Sequence, residues 1–323
     1  MTEPHPLPHG NGKPPGTTSW TGSITRAGTE MRSYYGRPVI KEPVWKWEIP
    51  CYLFTGGLGG ASAVLSTVAR LAGNERLARR SIYIGAASDA VSPLLLISDL
   101  GRPERFLNML RVFKVTSPMS VGSWILAVSS SASSLSAFLN SIRRLRRIGD
   151  AARAVAAGSG APLAVYTGTL ISDTAIPVWH EARCELPFLF GSSAAASAGA
   201  AAVIAVPPGD AGPARRLAAG GTLVENAVML AMKRRLGMLG EPYHQGEAGR
   251  YARIAKACTL GGAAVVAGPG RKSRLAAVAG GALVLAGEMA LRWSVFKAGF
   301  QSARDPKYTV LPQRERAQRS AAS

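Results

Sequence analysis

The chain has 323 residues, 47% of them hydrophobic and only 18% charged, with a net charge of +19. A soluble protein of this length spreads its charges over two ordinary domains. Here they fall in short clusters between apolar segments long enough to cross a hydrocarbon core of ~30 Å at ~1.5 Å per residue, so the composition describes an all-α, polytopic membrane protein. The cations stand at span ends, as in Arg76, Arg79 and Arg80, or Arg143, Arg144, Arg146 and Arg147, or Lys233, Arg234 and Arg235. Placed there they face anionic lipid, and nucleic acid is excluded as a partner.

Residues 1–33 are rich in Pro, Gly, Thr and Ser without an apolar run, and are expected to be a disordered tail and not a signal peptide. The first predicted span, Trp45–Arg70, opens with two tryptophans around Lys46, suited to the membrane interface. Glu48 stands four residues before Tyr52, which puts an acid and a phenol on one helix face, and Pro50 falls in the opening turn, where a missing N–H costs nothing. A carboxylate at a helix start is also favoured by the dipole alone. Gly56, Gly57, Gly59 and Gly60 then leave a smooth surface for another helix; with no preceding strand they do not make a nucleotide loop.

The second span, Ser81–Leu100, carries Asp89 near its middle and Asp99 at its end. An acid at membrane depth costs about 2.5–3.5 kcal/mol unless it faces water or a partner, so Asp89 is either functional or hydrogen-bonded to a neighbouring serine or backbone group. In the connection DLGRPERFLNMLRVFKVTSPMS, Phe106, Met109, Leu110 and Phe113 recur at helical spacing among cations, which predicts a short interfacial helix offering a surface to lipid or to a docked subunit. Arg102 reaches back to Asp99 or Glu48, or makes a plain loop salt bridge.

The third span runs over Val121–Ile142, closed by RRLRR, and the fourth over Ala154–Val178 with Tyr166 and Asp173 on nearly one face. Tyr166 is alternatively a core or belt aromatic, and Asp173 a cap. After the short connection VWHEARCELPF come Leu186–Val206, Ala214–Met232 with Glu225, Tyr251–Ala267, and Leu275–Phe296 with Glu288. Eight spans place both termini on one side. Cys51, Cys184 and Cys258 have no ligand spacing and the four histidines lie in the tail and loops, so no haem, iron–sulfur cluster or metal centre is encoded in this chain.

The segments YYGRPVIKEPVWKWEIPCYLFTGGLGGAS, DLGRPERFLNMLRVFKVTSPMSVGSW, YTGTLISDTAIPVWHEAR and RWSVFKAGFQSARDPKYTV together resemble the NrfD/PsrC-type membrane subunits of polysulfide-reductase-like molybdoenzyme complexes, over residues 34–312. The resemblance implies eight transmembrane helices in two four-helix bundles. Residues 34–150 then hold three spans with the quinone-site entrance and the interfacial helix, 151–184 complete the first bundle, 185–299 form the second, and 300–323 are a polar C-terminal tail. It also implies a cell-membrane location and a quinone site, for menaquinone or ubiquinone, in the first bundle. Beside it would dock a ferredoxin-like iron–sulfur subunit that exchanges electrons with a molybdopterin catalytic subunit.

On that resemblance the quinone-contacting positions fall at Glu48, Tyr52 and Tyr166; where some members use Asn and His in the first span, this chain has Glu48 and Tyr52. The phenols donate to carbonyl oxygens and Glu48 exchanges protons. Asp89, Asp173, Glu225 and Glu288 are candidates for a proton path, and Asp99, Arg102 and Arg105 for partner docking. Two other readings compete. A proton-coupled transporter also uses deep acids, though it more often has Gly/Pro-broken helices in two related halves. A passive anchor has no reason to bury Glu48, Tyr52 and Asp89.

Overall fold

The computed structural model describes residues 39–100, 104–111 and 113–322. The expected N-terminal tail at 1–33, Arg102 and the side chain of Arg105 lie outside the described residues. Among the described residues eleven α-helices follow one another, joined by turns and short 3-10 segments. They are α1 (Glu48–Leu71), α2 (Glu75–Asp99), α3 (Glu104–Met109), α4 (Pro118–Ser141), α5 (Arg146–Ser172), α6 (Pro177–Glu181), α7 (Leu186–Ala205), α8 (Gly212–Leu236), α9 (Gly246–Ala267), α10 (Arg274–Arg304) and α11 (Lys307–Ala322).

Eight of these helices have 20 residues or more and stand at the eight predicted spans. Six of them, α1, α2, α4, α5, α7 and α10, are long and apolar enough to cross a membrane. The other two, α8 and α9, are as long but bring cations into their turns: Arg215, Arg216 and Lys233–Arg235 at the ends of α8, and Arg250, Arg253 and Lys256 in the first half of α9.

Helix ends follow local chemistry. The Asn74 side chain caps α2 by accepting from the Leu77 N–H at 3.0 Å, and Ser273 caps α10 through the Ala276 N–H at 3.3 Å. The fourth span is shifted from its expected place. RRLRR does not simply close the third span, because α5 already begins at Arg146. Its first turns are held in helix by ion pairs from Asp150 to Arg153 at 3.1 Å and to Arg70 of α1 at 3.0 Å. It stops at Ser172, short of Val178, because Pro177 obliges Ile176 to be extended. The last span is also longer than expected: α10 continues to Arg304, and the region read as a polar tail contains α11, with Tyr308 buried.

The long helices pack as two groups of four. In the first, α1 lies against α2 and α5, and α4 closes the group against both. In the second, α7 pairs with α8, α9 with α10, and α7 with α10. The groups meet along α1 and α7, α5 and α7, and α1 and α10. Backbones touch where α1 crosses α5: a Cβ at Gly60 or at Gly160 would overlap the other residue's carbonyl, so only glycine fits there.

Between the groups, the connection containing α6 is part of the core. Trp179 is fully buried, donates its indole N–H to the Val295 carbonyl at 2.8 Å, and stacks on Trp45 with ring centroids 5.6 Å apart. Of the two tryptophans expected at the interface, Trp47 is exposed while Trp45 packs inward. One end of the molecule gathers the start of α1, the end of α2 and the end of α10, where Glu42 pairs with Arg304 at 2.8 Å. The guanidinium of Arg304 holds the Glu42 carboxyl below its ordinary value. The opposite end gathers Arg70 with Asp150, and Arg76 with Asp210 at 2.6 Å.

Candidate functional site

The site begins at the first residue of α1. Glu48 is 6% exposed and one of its carboxylate oxygens, Oε2, has no hydrogen-bond partner. The helix dipole favours an acid here, but a buried orphan oxygen is not explained by the dipole and marks a group available to a ligand or a proton. Asp99, closing α2, accepts the Lys46 backbone N–H at 3.4 Å and lies within electrostatic reach of Glu48. Two acids from neighbouring helices therefore share one end of the first bundle.

One turn into α1, Tyr52 is 2% exposed and within electrostatic reach of both Tyr166 on α5 and Asp89 on α2. These three sequence-predicted residues, from three helices, are brought together. The Tyr166 hydroxyl donates to the Pro118 carbonyl at the start of α4. A phenol has one proton to donate, so in this arrangement Tyr166 presents lone pairs to anything else that approaches, and donates to a ligand only by giving up Pro118.

Below Tyr52 the first bundle is lined with hydroxyls. Thr55 and Ser92 are joined at 2.8 Å, and Ser92 donates to the Ser88 carbonyl at 3.0 Å. Next to Ser88, Asp89 is fully buried; its Oδ2 accepts from Ser129 at 3.1 Å and Ser133 at 2.9 Å, both on α4. Each such bond to a charged acceptor is worth about 1.5–3 kcal/mol, enough together to offset what burying the acid costs. The other oxygen, Oδ1, has no partner and rests against Gly59 of α1, where a Cβ would overlap it. Of the two expectations for Asp89, the hydrogen bond to neighbouring serines is present on one oxygen, and the other oxygen is unengaged. Glu48, Tyr52, the Thr55–Ser92 pair and Asp89 form a polar column inside otherwise apolar packing.

The remaining predicted acids lie elsewhere. Asp173 follows the last residue of α5 and lines a surface pocket of ≈ 470 Å³ with His180, Glu181 and Tyr308, though it still acts electrostatically on Tyr166. Glu225 on α8 and Glu288 on α10 meet in the second bundle, so the four acids fall into three places and not one line. Beside that pair sits Arg292, 1% exposed, which sequence reasoning missed. It already lay within the predicted span Leu275–Phe296, and its signal was a cation four residues after Glu288, on the same helix face.

No curated protein matches the chain. The family described as polysulphide reductase, NrfD, matches residues 39–209, which takes in the whole first bundle, the column from Glu48 to Asp89, and α7 of the second bundle. With six helices long and apolar enough to span, the molecule is an integral, multi-pass membrane protein. The chain belongs to the NrfD polysulphide reductase family and has that family's role as a membrane anchor subunit.

Proposed function

We propose that the first bundle carries a quinone-reactive site, and that the chain exchanges electrons between the membrane quinone pool and a ferredoxin-like iron–sulfur subunit serving a molybdopterin oxidoreductase. The observation that carries this reading is the buried, half-unpartnered carboxylate of Glu48 one turn from Tyr52, with Tyr166 and Asp89 within reach. A mere anchor gains nothing from an orphaned acid at the start of its most buried helix, since such a group costs free energy without adding packing.

The residues present fit a quinone headgroup. A quinone supplies two-electron, two-proton chemistry; everything else falls to side chains of this chain. Tyr52 donates to a carbonyl oxygen, and Tyr166 accepts from a hydroxyl while its own proton stays on Pro118. Glu48 holds or gives up a proton at Oε2, next to the interface where water reaches the helix start. Asp89 is the inner acid of the column, about one helical turn from the Thr55–Ser92 pair. The placement at one end of the bundle suits a partner docked on the α2–α4 connection, with Asp99 at its rim and Arg102 and Arg105 in the connecting stretch.

The test is binding of a fluorescent quinol-site inhibitor to the assembled complex. The expected result is saturable quenching in the native complex, displaced by added quinol, and weakened at least tenfold by Tyr52→Phe with subunits still bound. Absence of saturable binding in the native complex would overturn the reading in favour of a passive anchor.

A further inference from the structure

The second bundle holds a group of charges that the first-bundle column does not use. Glu225 on α8 and Glu288 on α10 are 3% and 0% exposed and lie within electrostatic reach of each other and of Arg292. Ser193 on α7 donates to Oε2 of Glu288. One turn further along α10, Arg292 donates from Nε to the Leu53 carbonyl of α1 at 3.2 Å and from Nη2 to the Phe190 carbonyl of α7 at 3.2 Å. Its guanidinium lies over the Phe190 ring, 3.9 Å from the centroid. Three buried atoms of this group are left without partners: Oε2 of Glu225, Oε1 of Glu288 and Nη1 of Arg292.

Two acids buried beside a single cation cannot both be ionised without leaving a net charge away from water. One carboxylate, one carboxylic acid and one guanidinium sum to zero. Either alternative, two carboxylates or two acids beside Arg292, leaves a net charge buried in apolar surroundings, and such a charge is strongly disfavoured. Neighbouring elements do not change this sum. Among the described residues α7 contributes the neutral Ser193, α9 contributes Thr259, which the Asn226 amide reaches at 3.4 Å, and α1 contributes only the Leu53 carbonyl to Arg292. The charged groups acting on the pair are each other and Arg292.

We propose that Glu225, Glu288 and Arg292 form a binding site for a single exchangeable proton, built between the two bundles and tied to α1 at the residue after Tyr52. The unpartnered carboxyl oxygens are where that proton enters and leaves, and Arg292 sets the number held. The arithmetic is specific. Removing either carboxyl leaves one carboxylate on Arg292 and no bound proton, whereas removing the cation leaves two neutral acids.

Infrared spectroscopy on the full chain in lipid nanodiscs, without quinol, reads this directly. With glutamate carboxyls labelled by carbon-13, the native chain is expected to show an isotope-shifted carboxylic-acid C=O band at neutral pH that moves on transfer to heavy water. The band is expected to disappear in Glu225→Gln and equally in Glu288→Gln, to persist in Glu48→Gln, and to double in Arg292→Gln. A native chain with no labelled acid band, a band indifferent to heavy water, or a band surviving both single substitutions would overturn the proposal. The native-chain measurement stands even if a variant fails to fold, and no outcome depends on the first-bundle quinone reading.

Discussion

The two bundles bury acids in different company. In the first, Asp89 is alone among hydroxyls: Ser129 and Ser133 satisfy one oxygen, and among the described residues no cation acts on it. In the second, Glu225 and Glu288 are buried within electrostatic reach of each other and of Arg292. The difference is one of purpose as well as chemistry. A charge-balanced triad anchored to two backbone carbonyls is rigid and expensive to break, whereas an acid held by rotatable hydroxyls changes its protonation with little rearrangement. The column in the first bundle is the adaptable region, and the triad in the second is the fixed one.

That contrast is broken most severely at its two ends. Glu48→Gln keeps the shape of the helix start but removes the proton acceptor, and quinol-linked turnover is expected to fall by roughly 10²–10⁴-fold, the usual contribution of a general acid–base group. Co-purification of the partner subunits checks that assembly is unchanged. Arg292→Leu strands the glutamate pair and frees the Leu53 and Phe190 carbonyls, with an expected loss of about 3–5 kcal/mol in stability. Thermal unfolding followed by helical circular dichroism measures it. Asp89→Asn is the matched change in the first bundle; its amide oxygen still accepts from the serines, so the expected loss is only about 1 kcal/mol. Similar losses for the two variants would erase the distinction between the bundles.

A smaller effect sharpens the column itself. Gly59→Ala places a methyl where the Asp89 carboxylate lies, forcing α1 and α2 apart, and is expected to cost about 1–3 kcal/mol. The same substitution at Gly73, where the surroundings are open but φ is +76°, tests backbone strain without a clash.

The smallest effect concerns pH at the end of the molecule that carries α11. Lys307 holds the Glu241 carboxyl below its ordinary value of 4.5, through an ion pair of 2.9 Å. A carboxyl with a lowered folded value contributes stability above its unfolded value and loses it as pH falls toward the folded one. Amide protection of α11, corrected for intrinsic exchange, is therefore expected to be level above pH 4.5 and to decline below it, and to be flat in Glu241→Gln.

Much of this was legible in the sequence. Apolar length between charge clusters located eight helices, and the exceptional acids Glu48, Asp89, Glu225 and Glu288 stood out because the chain has so few. Boundaries were less legible, because Arg153 and Arg304 read as loop charges until their partners Asp150 and Glu42 are known. Partnerships across the bundles were hidden altogether. Nothing in the spacing of Glu225, Glu288 and Arg292 says that α8 and α10 put them together, since residues 63 apart in sequence meet only through the packing of α7 to α10. The serines that hold Asp89 were equally silent, being two among the many serines of α4.

The central claim is that the first bundle reacts with quinol at the α1 start. The most direct measurement is quinol-dependent reduction of the partner's iron–sulfur clusters in membranes containing the whole complex, with native chain and with Glu48→Gln. Reduction in the native complex that is lost in the variant, with all subunits bound, is the predicted result. Equal reduction in both, or none in the native complex, would contradict it.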